Sequence, residues 1–161
     1  MSRPGQVRKR LVAPHAQRGL AAVEFVVCAP LVLLMLLASA EIGRAFIHYA
    51  TLSYTIRDAV RFVTTNSING TTGVVQLSNT TITRAKNLAV FGNIGGTGTP
   101  RLPQYQIGHV AVENAGGSNI RVTATYPYQP MIGPVLPNFG QGAPLDFNFN
   151  MVVAATMRAI S

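Results

Sequence analysis

The sequence predicts an α+β protein: a long N-terminal helix with a membrane half and an amphipathic half, a second short helix and a small antiparallel β-sheet. Three observations predict it. Residues 20–40 carry one charged side chain, Glu24. Apolar residues then recur at three- and four-residue steps as far as Val63. Around Ile120 and again around Phe149 the spacing changes to alternation. A period near 3.6 marks a helix with one apolar face, and a period of 2 marks a half-buried strand.

Composition bounds the function. A chain of 161 residues holds one domain and a tail. It is 48% hydrophobic but only 11% charged, less than half the charged share usual in soluble domains. Such a chain has ample apolar surface to bury, which excludes a disordered, highly charged protein. The single cysteine, Cys28, excludes a disulfide scaffold. His15, His48 and His109 have no ligand-like spacing, and no Ser/His/Asp set or carboxylate pair stands out. The sequence is therefore not read as an enzyme, and no catalytic, metal or cofactor-binding residue is assigned.

The net charge of +8 is local. Arg3, Arg8, Lys9, Arg10 and Arg18 all precede residue 20, with no acid among them. Beyond them, eight basic residues face five acidic ones. The remaining chain has no basic stripe interleaved with aromatics, so nucleic acid is not an expected partner.

Residues 1–19 thus form a basic leader, and residues 20–41 the membrane half of the helix. Twenty-one residues from Leu20 to Ala40 rise about 30 Å, the thickness of a bilayer's hydrocarbon core. Positive charge ahead of the span keeps the N-terminus cytoplasmic and exports the chain beyond Glu41. Pro30 should kink the span, a distortion that membrane helices tolerate. Cys28, set among Val and Ala, is expected to be a small buried hydrophobe. Glu24 is the anomaly. A carboxylate at the bilayer centre costs about 2.5–3.5 kcal/mol and usually has a partner; at the membrane edge it reaches water cheaply.

The same region has the outline of a cleavable secretory signal, with Ala38-Ser39-Ala40 as a small-residue cut site before Glu41. Glu24 and Pro30 are poor chemistry for that purpose, and the helical pattern does not stop at Ala40. Ile42, Phe46, Tyr49, Leu52, Ile56, Val60 and Val63 continue it as an apolar face, with Arg44, Arg57, Asp58 and Arg61 largely on other faces. Residues 42–66 are therefore an amphipathic continuation that packs on an exported α+β domain, residues 67–161.

In that domain, residues 69–73 are turn chemistry. A helix starts at Ser78 or Asn79 and runs to Phe91, stopped by Gly92. Residues 92–103 form a glycine-rich loop without the Lys-Ser/Thr of a phosphate cradle. A strand over 106–114, a turn over 115–119 and a strand with Ile120, Val122, Ala124 and Tyr126 inward come next. A proline-rich segment then crosses to a final strand, in which Leu145, Phe147, Phe149 and Met151 alternate with polar residues as the chain approaches Arg158.

The segment Arg18-Gly19-Leu20-Ala21-Ala22-Val23-Glu24-Phe25 resembles the processing motif of type IV prepilin-like proteins. More specifically it resembles that of the TadE-like minor pseudopilins of the tight-adherence (Flp, type IVc) pilus system. The resemblance continues through Pro30, Glu41-Ile42-Gly43-Arg44-Ala45-Phe46 and Thr55-Ile56-Arg57-Asp58-Ala59-Val60-Arg61. Weaker matches occur at residues 85–92, 122–130 and 154–158.

The resemblance implies cleavage by prepilin peptidase between Gly19 and Leu20. It also implies an assembly role for Glu24, pairing with the new Leu20 ammonium to set register. The implied partners are that peptidase, other pilin and pseudopilin subunits, the inner-membrane assembly machinery and membrane lipid. The implied location is the bacterial inner membrane, single-pass, with the C-terminal domain periplasmic. The roughly 95 residues after the helix favour a minor component over the short major subunit. The competing reading is a secreted or membrane-tethered binding domain with an ordinary signal sequence or anchor.

Overall fold

The computed structural model describes residues 15–67, 75–131, 133, 135–136, 145–146 and 148–159. The basic leader ahead of residue 15, the turn expected at 69–73 and most of the proline-rich crossing lie outside the described residues. The fold is α+β, with a long N-terminal helix, a second short helix and a three-stranded antiparallel sheet. The chain divides into two compact units, Met1–Ser39 and Ala40–Ser161.

Helix α1 spans His15–Asn66, with Pro30 inside it. In the first unit α1 exposes almost every side chain, from Leu20 to Leu37. This part is long and apolar enough to cross a membrane. Cys28 is exposed here too. A lone helix has no neighbour to cover it, so these apolar residues require lipid or another protein surface.

In the second unit α1 packs on a sheet and on α2 (Asn79–Phe91). Helix α2 begins where Ser78 Oγ accepts a hydrogen bond from Thr81 N–H at 3.1 Å, supplying a partner for an orphan first-turn donor. It ends at Gly92, whose φ of 74° places it in the left-handed region while its N–H donates to the Leu88 carbonyl. Arg101 lies over that glycine, and its guanidinium would have to move for any added Cβ. Gly92→Ala should therefore cost about 1 kcal/mol, chiefly from backbone strain, read as a lower denaturant midpoint at unchanged slope.

The sheet has the order β1-β2-β5, all antiparallel. Strand β1 is Val110–Gly116, β2 is Asn119–Tyr128 and β5 is Phe149–Arg158. Residues Gly116 and Gly117 turn β1 into β2 with φ of 98° and 57°, conformations that favour glycine. Strand β2 is central and alternates as its sequence does, with Ile120, Val122, Ala124, Tyr126 and Tyr128 inward. Val122, Ala124, Tyr126 and Tyr128 meet Leu52, Ile56, Ala59 and Val60 of α1 and Ala89 and Val90 of α2 in one core. A smaller cluster joins Val63, Ala85, Ile120 and Ala159.

Three expectations need correction. The first strand does not begin at Gln106. Residues Ile107–His109 form a 3-10 turn, held by His109 N–H on the Gln106 carbonyl at 3.0 Å and Gln106 N–H on His109 Nδ1 at 3.2 Å. The final strand is not continuous from Leu145. Strand β4 (Leu145–Asp146) pairs with β3 (Val135–Leu136), and β5 starts afresh at Phe149 to pair with β2. Alternation in sequence reports which faces are inside, not which neighbour a strand takes.

The third correction concerns α1. Leu52, Ile56, Val60 and Val63 are buried, but Ile42, Phe46 and Tyr49 are half or more exposed. The inward positions at that end are Glu41, Ala45 and His48, which continue the stripe at steps of four, three and four to Leu52. Both stripes have helical spacing, and the polar one turns inward because its groups find partners on the sheet.

Candidate functional site

The residues singled out by sequence lie in the first unit. Gly19 is inside α1, and a Cβ added there would meet nothing within 4 Å. Leu20 is 72% exposed. Glu24 is exposed on the same helix, and among the described residues it makes no hydrogen bond or ion pair. Gly19, Leu20 and Glu24 thus sit within two turns of one another on an open helical surface. This arrangement leaves Glu24 available to a partner from outside the chain.

The second unit contains a polar cluster that the sequence did not single out. Glu41 is 6% exposed. Its carboxylate accepts from Arg44 Nη2 at 2.8 Å and from Met131 N–H at 3.2 Å. The Tyr128 hydroxyl donates a short hydrogen bond to the same carboxylate. Arg44 also donates to the Gln129 carbonyl at 2.6 Å, and its guanidinium carbon stands 5.2 Å from the centre of the Tyr128 ring. One carboxylate therefore receives three kinds of donor, and the cation beside it covers an aromatic face.

His48, one turn after Arg44, backs this cluster. It is buried, with the Tyr126 and Tyr128 rings edge-on at 5.9 and 5.5 Å. The Tyr126 hydroxyl donates to the Pro103 carbonyl at 3.0 Å, which ties the glycine-rich loop to the same spot. Burial pushes the Tyr128 hydroxyl's pKa up, and the hydrogen bond to Glu41 pushes it further. Tyr126 is raised as well, first by burial. Both phenols hold their protons through the physiological range and act as donors.

The cluster is a fastening in chemical terms. It joins the start of the packed half of α1 to the end of β2 and the residues after it, with every buried charge paired. Among the described residues no group of three His, Cys, Asp or Glu side chains is placed to hold a metal ion. The sequence signal for the cluster was present but divided. Glu41 and Arg44 stand three apart at the point where charge returns to the chain, and Tyr126 and Tyr128 are both inward on an alternating strand. Their meeting across more than eighty residues is a tertiary fact.

Residues 19–61 match the family model described as TadE-like protein. No curated protein and no solved structure matches the chain. The matched segment begins at Gly19 and includes Glu24, Glu41, Arg44 and His48, while all three strands of the sheet lie outside it. The chain is thus consistent with a TadE-like protein of the tight-adherence pilus system, and its apolar N-terminal helix fits a single-pass membrane anchor.

Proposed function

We propose that this chain is a membrane-anchored minor pseudopilin required for assembly of a tight-adherence (type IVc) pilus, matured by prepilin peptidase between Gly19 and Leu20. The observation that carries this is the TadE-like match, which starts at Gly19 and runs through the apolar span into the packed half of α1. The five positive charges ahead of the span favour a cytoplasmic N-terminus in the bacterial inner membrane, with the second unit periplasmic. The partners are the peptidase, other pilin and pseudopilin subunits, the inner-membrane assembly machinery and lipid. The chain performs no catalysis; its work is assembly.

The local structure around Gly19 is compatible with cleavage. The bond lies four residues inside a helix, so the first turns must open to present it. A helical glycine costs about 0.5–1 kcal/mol relative to alanine, which eases local opening at this bond. Removal of the leader frees an ammonium on Leu20, four residues from Glu24 and on the same side of α1.

The deciding measurement is the intact mass of protein isolated from its native host. A chain beginning at Leu20 is expected. A mature terminus at Glu41 would identify an ordinary signal sequence, and a chain retaining its leader would identify a plain anchor. Either result overturns the pseudopilin reading. Deletion of the gene should also abolish or reduce surface pili and adherence.

A further inference from the structure

Each outer strand of the sheet has one side without a neighbouring strand among the described residues, and the two edges differ. Strand β1 is short and blunted. It carries Glu113, and its register shifts between Asn114 and Gly116, where the Asn114 side chain accepts from Gly116 N–H at 2.9 Å. Charge and irregularity are how native sheets close an edge to further pairing. Strand β5 has neither. It runs for ten residues in unbroken register with β2, with no proline and no charge before Arg158. Its outer side therefore presents a regular row of backbone N–H and C=O groups.

The side chains of β5 report the same opening. Its register with β2 sets Phe149, Met151, Val153, Ala155 and Met157 on the side that faces the helices. Met151 and Val153 are buried, but Phe149 remains 46% and Met157 37% exposed. Beside Phe149 and Met151 the space under the sheet continues as an open groove of about 390 Å³, walled on its other side by Ile42, Phe46 and Tyr49 of α1. The groove's exposed walls are apolar. Its one charged residue, Glu41, has its carboxylate engaged by Arg44, Tyr128 and Met131.

We infer that the β5 edge and this groove together receive an extended strand from a partner protein, uncharged along β5 and with large apolar side chains at alternate positions. Geometry sets the alternation. A strand added to β5 lies about 4.8 Å beyond it, so every second side chain stands opposite Phe149 or Met151 and enters the groove. Its backbone supplies the hydrogen-bond partners that the edge lacks. The main chain then gives affinity and the alternate side chains give specificity. Charge decides what is admitted. From Phe149 to Met157 β5 offers no counter-ion, and Glu41 is already paired. Lys, Arg, Asp or Glu at a groove-facing position would lose its water without gaining a partner. The inference rests on the Ala40–Ser161 unit alone and holds whether or not the leader is cleaved.

The test places the full chain in phosphatidylcholine nanodiscs and uses the peptide TVTLTVTKK, dye-labelled at its lysine end. Fluorescence anisotropy should show saturable binding to loaded discs and none to empty ones. Two N-methylated versions, each blocked at one set of alternate amides, give the decisive comparison. Only one set faces β5, so one version should bind within about twofold of the parent and the other at least about tenfold more weakly. Lysine in place of the central leucine should abolish binding. In the chain, Phe46→Glu charges the groove wall at a residue that is 70% exposed, so the fold tolerates it, and binding should weaken at least about tenfold. Ala154→Lys, exposed on the opposite face of β5, should leave binding unchanged. Alternate amides of β5 should exchange quickly in the chain alone and slowly with saturating peptide. Equal weakening by both N-methylated sets would show apolar contact without strand addition, and no binding beyond that of empty discs would show an edge that accepts no strand; each overturns the proposal. Slow exchange along all of β5 without peptide would show that the chain itself or a second copy already covers the edge, and would equally overturn it.

Discussion

Replacing Glu41 by alanine should lower the thermal midpoint of the Ala40–Ser161 unit by about 10 °C. The physical reason is what the carboxylate leaves behind. Arg44 loses its ion pair, Met131 N–H and the Tyr128 hydroxyl lose their acceptor, and none of them gains a replacement. Removing one member of a buried pair costs about 3–5 kcal/mol. Arg44 remains partly exposed and regains some water, so the lower end of about 3 kcal/mol applies. A unit of this size moves by about 3–4 °C per kcal/mol. Glu41→Gln keeps an acceptor for Tyr128 and Met131 and should lose about half as much. Tyr128→Phe keeps the ring under Arg44 and removes one hydroxyl, costing about 1 kcal/mol. Tyrosine circular dichroism of the full chain in detergent reads all three. The informative variant is the double one. If Glu41 and Tyr128 act as one fastening, Glu41→Ala with Tyr128→Phe must cost less than the sum of the singles, by about 0.5–1 kcal/mol. Simple additivity would show that the two residues contribute independently.

The same cluster shows which parts of this fold were legible in the sequence. Helix α2 was, from Asn79 to its Gly92 stop, because its boundaries are set by local chemistry: a serine cap and a glycine that tolerates φ of 74°. The inward residues of β2 were also legible, since a strand with one buried face must alternate. The long helix was legible as a helix, but the face it presents to the sheet was not. Ile42, Phe46 and Tyr49 made the more apolar stripe, yet Glu41, Ala45 and His48 turned inward. Hydrophobic periodicity assigns the buried face by composition. It fails where a polar stripe finds donors and acceptors on a distant element, as Glu41 does at Tyr128 and Met131. Strand pairing failed for the related reason that partners are not encoded in alternation, so a break after β4 went unread. Glu24 was singled out from sequence by the cost of a carboxylate in an apolar run, and Gly19 and Leu20 only through the resemblance of residues 18–25 to a prepilin processing motif. The structure places them on one stretch of α1, where Leu20 and Glu24 are exposed and Glu24 has no hydrogen-bond or ion-pair partner among the described residues.

The exposed Ile42, Phe46 and Tyr49 are the counterpart of that inward polar stripe. Once Glu41 and His48 take the sheet-facing positions, the apolar residues beside them are turned outward. A soluble domain would bear that as an aggregation liability. The fastening at Glu41 and the groove at Phe46 are two consequences of one rotational setting of α1 within its unit.

Glu24→Gln should abolish assembly while leaving insertion and cleavage intact, on the proposal that Glu24 pairs with the Leu20 ammonium. The amide is no harder to place in an apolar run than the carboxylic acid, so the variant should enter the membrane at wild-type levels. The glycine that the peptidase meets is unchanged, so the mature mass should begin at Leu20. What disappears is the charged partner for the new ammonium. Breaking a desolvated pair at one member lowers association by about a hundredfold or more, enough to leave few or no pili at ordinary expression. Gly19→Leu acts one step earlier. A branched side chain at the cut site obstructs the peptidase, the leader stays on, and no ammonium forms beside Glu24. Both variants should therefore lack surface pili, and they should differ in mass by the leader. Glu24→Asp separates charge from reach: it retains the carboxylate but shortens it by one methylene, and should assemble at an intermediate level. Wild-type pilus number in Glu24→Gln would show that the pair does not set register. Glu24 would then be a carboxylate that merely reaches water from an exposed helical position.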